Sequence, residues 1–199
     1  MNEEESWGRL TPGQFEDFLT RFTDRFGAPV KSRRLAFSFW DHSRNDVDTR
    51  IRITDGKAEI MQKVGSWEKN RKWSRSEQKV SLTANTEEIF NAYQILRVLI
   101  PGEKACYIAQ YENFIFQKPE FELKLTRQTG KTDRYNFEVE AKNKETDLNK
   151  VLSDLGLADL VTETDADFWH QWNRELNLND DDLTEEEIKG LINEYCFGL

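Results

Sequence analysis

The chain has 199 residues, of which 37% are hydrophobic and 33% are charged, and its formal net charge at pH 7 is −9. This length fits one domain with at most a small helical appendage, and six tryptophans help to fill a sizeable core. The acidic balance disfavours binding to duplex DNA. No apolar run is long enough to cross a bilayer, and the acidic start is unlike a targeting peptide, so we expect a cytoplasmic protein without membrane contact.

A helix over residues 11–26 is predicted first, because four phenylalanines and a leucine recur there at helical spacing. Gly27 ends it. From residue 33 to residue 142 apolar side chains mostly alternate with polar ones, which is typical of strands with one buried face. The pair Asp55-Gly56 predicts a tight hairpin between two of these strands.

The remaining elements are more strands and a set of helices. One helix over 86–100 takes Thr86 as its N-cap, and a later helix carries Trp169 and Trp172 on a face that we expect to pack on the sheet. The other predicted elements are strands over 74–82, 105–117, 121–128 and 135–142, and helices over 147–155, 165–176 and 185–197. Together they predict an α+β fold with a closed antiparallel barrel. The alternative is an open sheet whose charged face meets water.

Two charged strand faces carry the functional signal. Glu138 and Glu140 share one face of a strand, while Val139 points the opposite way into the core. Two carboxylates in a shared space repel each other unless cations are present. Arg50 and Arg52 likewise share a face of an earlier strand. A sheet that carries both signs of charge inside could hold a metal–polyphosphate complex.

The chemistry of these side chains supports that interpretation. Convergent arginines and lysines offer several donors to phosphate oxygens. Glutamates suit Mg²⁺ or Mn²⁺, which are hard ions that prefer oxygen ligands and polarise phosphorus. The alternative is a set of cross-strand salt bridges on a wet sheet, which contribute little stability.

Other short motifs are rejected. Residues 130–132 end like a phosphate-binding loop, but Leu125 stands where that loop needs a glycine. The acidic run over 180–187 begins like a calcium loop, but its spacing fits a capping box of Thr184 with Glu187 better. The two histidines and two cysteines lack the spacing of a zinc site.

In their order and spacing, several segments resemble the CYTH superfamily of triphosphate tunnel metalloenzymes. The segments that carry the resemblance are residues 37–41, 49–54, 60–63, 75–77, 138–140 and 151–157. The resemblance covers about residues 10–160 and implies a tunnel of about eight strands over residues 1–160, followed by a helical extension over 161–199. It also implies action on a triphosphate-bearing small molecule, a nucleotide or an RNA 5′ end, with Mg²⁺ or Mn²⁺ as cofactor.

The resemblance assigns roles to residues. The implied phosphate-binding residues are Arg50, Arg52, Lys63, Arg75, Lys79 and Lys124. The implied metal ligands are Glu77, Glu138 and Glu140, with Glu3, Glu5 and Glu122 as secondary candidates. The residues expected to carry catalysis are Arg52, Lys63, Glu138 and Glu140.

The chain departs from the family pattern at three places. Trp7 stands where the family's first strand has a lysine, and Gln110-Tyr111-Glu112 replaces a Lys-x-Arg pair. Lys124 stands where many members have an acidic residue. Three hypotheses follow: a metal-dependent triphosphate hydrolase, an adenylyl cyclase of class IV type, and a binding protein with impaired catalysis.

Overall fold

The computed structural model describes residues 4–40, 46–65, 76–100 and 105–198. Within these ranges the strands are β1 (Glu4–Leu10), β2 (Val30–Trp40), β3 (Val47–Thr54), β4 (Lys57–Val64), β5 (Ser76–Leu82), β6 (Ala105–Gln117), β7 (Phe121–Thr129), β8 (Arg134–Ala141) and β9 (Leu178–Asn179). The α-helices are α1 (Pro12–Phe26), α2 (Thr86–Leu99), α3 (Leu148–Leu155), α4 (Ala166–Leu176) and α5 (Glu185–Phe197). The predicted α+β class is confirmed.

All the strands belong to one antiparallel sheet. Its order is β1-β8-β7-β6-β2-β3-β4-β5, and β9 adds to β6. The predicted closed barrel is not confirmed, because no hydrogen-bonded ladder joins β1 to β5 in the described part of the chain. The segment after α3 lies along β1 instead: Gly8 bridges Val161, and the N–H of Thr162 donates to the carbonyl oxygen of Trp7 at 3.0 Å.

The helices cover the apolar face of the sheet in two groups. α1 and α3 pack on β1, β6 and β8 around Phe22, Leu123 and Phe137, which are fully buried. α2 and α5 pack on β2 and β3 around Ile51 and Ile108. Burying a side chain of this size contributes about 1.5–3 kcal/mol. Because side chains alternate along a strand, the polar residues must point to the other face, which these four helices leave uncovered.

Local signals set most of the element ends. Thr11 caps α1 together with Gln14, and Thr184 caps α5 in the predicted box with Glu187. The N-cap of α2 is Asn85, whose side chain accepts from the N–H of Glu88, so the prediction of Thr86 is wrong by one residue. Asparagine is the better cap because its short carbonyl reaches that N–H while the backbone stays extended.

The C-terminal part of the chain is anchored by a buried carboxylate. Asp180 accepts a hydrogen bond from the hydroxyl of Tyr93 at 2.7 Å and pairs with Nε of Arg97 at 2.9 Å. It also accepts from the N–H of Cys106 at 3.3 Å. These bonds fix the chain after β9 against α2 and β6. Across the ranges described, every helix is too short or too polar to span a bilayer.

Candidate functional site

The polar face of the sheet lines a cavity of about 800 Å³. It is lined by the charged candidates from the sequence, namely Glu5, Arg50, Arg52, Lys63, Glu77, Lys79, Glu122, Lys124, Glu138 and Glu140. Arg75 and Glu3 lie outside the described residues. The structure thus brings the described candidates together in one cavity, while their roles in binding and catalysis stay predictions.

Strand register explains one wall of this cavity. Glu140 of β8 lies between Glu5 of β1 and Glu122 of β7, so three carboxylates form a row across neighbouring strands. In the next inward-facing row, Glu138 lies between Trp7 and Lys124. This wall is therefore mainly anionic.

The other wall is mainly cationic. It is built from β2, β3, β4 and β5, whose inward positions alternate with the buried apolar residues that face the helices. Its cations are Arg34, Arg50, Arg52, Lys57, Lys63 and Lys79, and they outnumber the carboxylates of the same strands, Asp48, Glu59 and Glu77. One row of neighbouring residues across β3, β4 and β5 consists of Asp48, Lys63 and Glu77. A second row across the same strands consists of Arg50, Met61 and Lys79.

Residues of both walls line the same cavity, and their charges act on one another. Burial and then repulsion from Glu138 raise the pKa of Glu5 to about 7, while Lys63 on the other wall acts to lower it. Burial also opposes ionisation of Glu138, but the attraction of Lys124 and of Lys63 outweighs it and holds the pKa of Glu138 below its usual value. Glu138 is therefore ionised at neutral pH, whereas Glu5 holds a proton about half of the time.

Most cations of the cavity are already paired with carboxylates of the protein. Arg50 makes a two-pronged contact with Asp48, with nitrogen–oxygen distances of 2.8 and 2.7 Å. Arg52 contacts one oxygen of Glu59 at 3.0 and 2.6 Å.

The lysines are paired in the same way. Lys63 lies 3.3 Å from Glu77, which also contacts Lys79. Lys124 contacts Glu138 across the β7–β8 ladder. A polyanion that enters the cavity must displace these carboxylates or arrive with cations that bind them.

The acidic wall has the donor chemistry of a hard divalent cation. Its ligands would all be carboxylate oxygens, and the pKa of Glu5 is raised first by burial and then by repulsion from Glu138, which a cation would relieve. However, no three acidic, histidine or cysteine side chains converge as a metal site among the residues described. The donor types therefore fit Mg²⁺ or Mn²⁺, while Glu138 is paired with Lys124 in this structure.

The C-terminal extension contributes lining residues that the sequence alone did not indicate. Trp169, Trp172 and Asn173 of α4 line the cavity beside Trp7. The ring centroids of Trp7 and Trp172 are 5.3 Å apart, and the indole N–H of Trp172 donates to Gln128 at 3.3 Å. α4 therefore packs on the sheet through its tryptophans, as expected, and also forms one end of the cavity.

Arg34 and Tyr111 also line the cavity, and neither was a candidate. The sequence pattern does indicate Arg34, because this residue lies on the strand face opposite to the buried Leu35 and Phe37. Arg50 and Arg52 lie in the same way opposite to the buried Ile51. Tyr111 was noted only as part of the segment that replaces a basic pair.

Several solved structures share this architecture. PH1012 from Pyrococcus horikoshii OT3 is 16% identical with a TM-score of 0.60, and the match covers 81% of this chain and 95% of that one. HpAC1 from Hippeastrum, a candidate adenylyl cyclase with a dominant triphosphatase activity, is 14% identical with a TM-score of 0.53, over 79% of this chain and 89% of that one. The chain has a CYTH-type fold.

Another match agrees with this assignment. A candidate adenylate cyclase from Bacillus halodurans is 13% identical with a TM-score of 0.54, and the match covers 82% of this chain and 96% of that one. No protein-family model and no curated protein matches the sequence. At such low identities the CYTH-type fold is established, and the activity must be argued from the residues of the cavity.

Proposed function

We propose that the protein is a divalent-metal-dependent phosphohydrolase that acts on a triphosphate group. The supporting observation is the pair of walls, one cationic and one acidic, in a single cavity of about 800 Å³. A triphosphate carries several negative charges, and a divalent cation bound to it carries positive charge. Such a complex complements both walls at once, whereas a bare anion or a bare cation complements only one.

The cavity residues would act mainly through charge. Arg50, Arg52 and Lys63 would bind phosphoryl oxygens and stabilise the charge that develops as water attacks the terminal phosphorus. The bond from that phosphorus to the bridging oxygen breaks, and diphosphate leaves with the electron pair. Lys79 and Lys124 would help to bind the rest of the chain of phosphates.

Glu138, Glu140 and Glu77 would hold the cation, with Glu5 and Glu122 beside them. When bound, Mg²⁺ or Mn²⁺ supplies Lewis-acid polarisation of the phosphoryl oxygens. Arg75 and Glu3 stay candidates for the phosphate and the metal, respectively. A closed tunnel belongs to the same proposal.

A binding protein without turnover is the second candidate. The departures from the family pattern favour it, because Trp7 and Gln110-Tyr111-Glu112 stand where the family has basic residues of its site. An adenylyl cyclase of class IV type is a further alternative, in which the ribose 3′-hydroxyl attacks the α-phosphorus and pyrophosphate leaves.

Product analysis separates the three candidates. Purified protein with Mn²⁺ is incubated with tripolyphosphate, ATP, thiamine triphosphate and a 5′-triphosphorylated RNA. Orthophosphate and diphosphate indicate hydrolysis, cyclic AMP and pyrophosphate indicate a cyclase, and binding without products indicates a binding protein. The hydrolase proposal is wrong if no substrate yields orthophosphate, or if Arg52→Ala is as active as the parent.

A further inference from the structure

Arg34 differs from the other arginines of the cavity in its partners. Its Nε donates to Oγ1 of Thr54 at 3.0 Å, and its side chain makes no ion pair within the part of the chain that the structure describes. Arg50 and Arg52, by contrast, each contact a carboxylate. The two terminal nitrogens of Arg34 therefore have no protein partner among those residues, although they line the cavity.

Among the described residues no carboxylate contacts Arg34, although the charge of Glu138 attracts it from farther away. Burial and the neighbouring guanidinium of Arg52 lower the pKa of Arg34, which still stays far above neutral pH because an arginine is effectively always protonated. Keeping a largely buried cation without a carboxylate in contact costs stability. A free-energy cost of this kind is common where a protein keeps a charge ready for a ligand.

Tyr111 lies directly beside Arg34 and adds a neutral donor. The two residues are partners in the β2–β6 ladder, and both line the cavity. Burial raises the pKa of Tyr111, so its hydroxyl keeps its proton at neutral pH. That hydroxyl makes no hydrogen bond with any residue in the described ranges. Tyr111 also occupies the strand segment where a Lys-x-Arg pair is replaced.

We propose that Arg34 and Tyr111 form an anion-binding subsite that holds phosphoryl oxygens of the substrate. The two terminal nitrogens of Arg34 bind two oxygens in a forked geometry, and the hydroxyl of Tyr111 donates to a third. Binding here breaks no ion pair, so this subsite receives the anion before Arg50 and Arg52 exchange their carboxylates for it. The inference rests on the proposed function, because it assigns new residues to the same triphosphate.

The test compares Arg34→Gln with Arg33→Gln, its neighbour on the opposite face of β2. Calorimetric titration with tripolyphosphate and Mn²⁺ measures the affinity of each. We expect Arg34→Gln to weaken binding by about tenfold to a hundredfold, because a forked charged contact is lost. Arg33 is exposed and pairs with Glu194 outside the cavity, so Arg33→Gln should bind within about twofold of the parent. The affinity of Arg34→Lys should lie between those of Arg34→Gln and Arg33→Gln.

Thermal unfolding without ligand distinguishes a binding role from a structural one. If Arg34 serves the ligand, Arg34→Gln keeps or raises the melting temperature, since a largely buried charge without a carboxylate in contact has been removed. If Arg34 serves only the fold, that temperature falls. Should Arg34→Gln fail to fold, Tyr111→Phe decides, because it removes only a hydroxyl and should weaken binding by about threefold to tenfold.

The two proposals fail in different ways. If the parent protein does not bind tripolyphosphate with or without Mn²⁺, the proposed function and the subsite are both wrong. If the parent binds it while Arg34→Gln and Tyr111→Phe bind it equally well, the subsite alone is wrong. Weaker binding by both variants, with Arg33→Gln unchanged, supports the subsite.

Discussion

The pKa of Glu5 gives a quantitative prediction for stability. Burial and Glu138 raise this pKa from an ordinary 4.5 to about 7 in the folded protein. The folded state therefore binds the proton more tightly than the unfolded state does. The stability that the proton contributes is fully present below pH 4.5 and is lost as the pH rises through 7. A difference of about 2.5 pKa units corresponds to about 3 kcal/mol at most.

Glu5→Gln removes this dependence because glutamine is neutral at every pH. At pH 8 the variant should have a free energy of unfolding up to about 3 kcal/mol higher than that of the parent, and near pH 4.5 the two should be similar. Urea unfolding between pH 4.5 and 8 measures both curves. Glu4→Gln is the matched control, because Glu4 lies next along β1 on the other face of the strand. The reasoning is refuted if the Glu5→Gln curve runs parallel to that of the parent.

Two further predictions concern ion pairs and packing. Glu138→Gln releases Lys124, so metal-free binding of tripolyphosphate should tighten by about tenfold. The control is Glu122→Gln, which removes the same charge from the same cavity and should give a clearly smaller gain in affinity. Equal gains in calorimetry would contradict a specific role for the pair of Lys124 and Glu138. Gly130→Ala would push a methyl group into the carbonyl oxygen of Leu176. It should lower the free energy of unfolding by about 1–3 kcal/mol, and an unchanged melting temperature would argue against close docking of the end of α4 on β7.

Short-range signals in the sequence predicted much of this fold. The hairpin at Asp55 and Gly56 formed because both residues accept a left-handed backbone, with φ of 48° and 79°. Period-two alternation placed Glu138 and Glu140 on one face, and both line the cavity. The same alternation places Arg34 on the polar face of β2, where it lines the cavity.

Long-range contacts could not be predicted from these signals. The pairing of Lys124 with Glu138 depends on the register of β7 with β8, which is set by the whole hairpin. The contact of Val161 with β1 depends on where α3 delivers the chain, and it replaces the ladder that a closed barrel would need. Trp172 reaches the cavity because its helix crosses the end of the sheet, which local periodicity does not specify.

The central claim is that the charged face lining the cavity binds a metal–triphosphate complex, and thermal unfolding in the presence of ligand tests it directly. At a ligand concentration about 100 times the dissociation constant, binding adds about 2.7 kcal/mol. For a chain of this length that gain corresponds to a rise of about 5–10 °C in melting temperature. The account predicts this rise for the parent with tripolyphosphate and Mn²⁺ together, and none for Arg52→Ala. The same rise in both proteins would place the ligand outside this cavity and contradict the account.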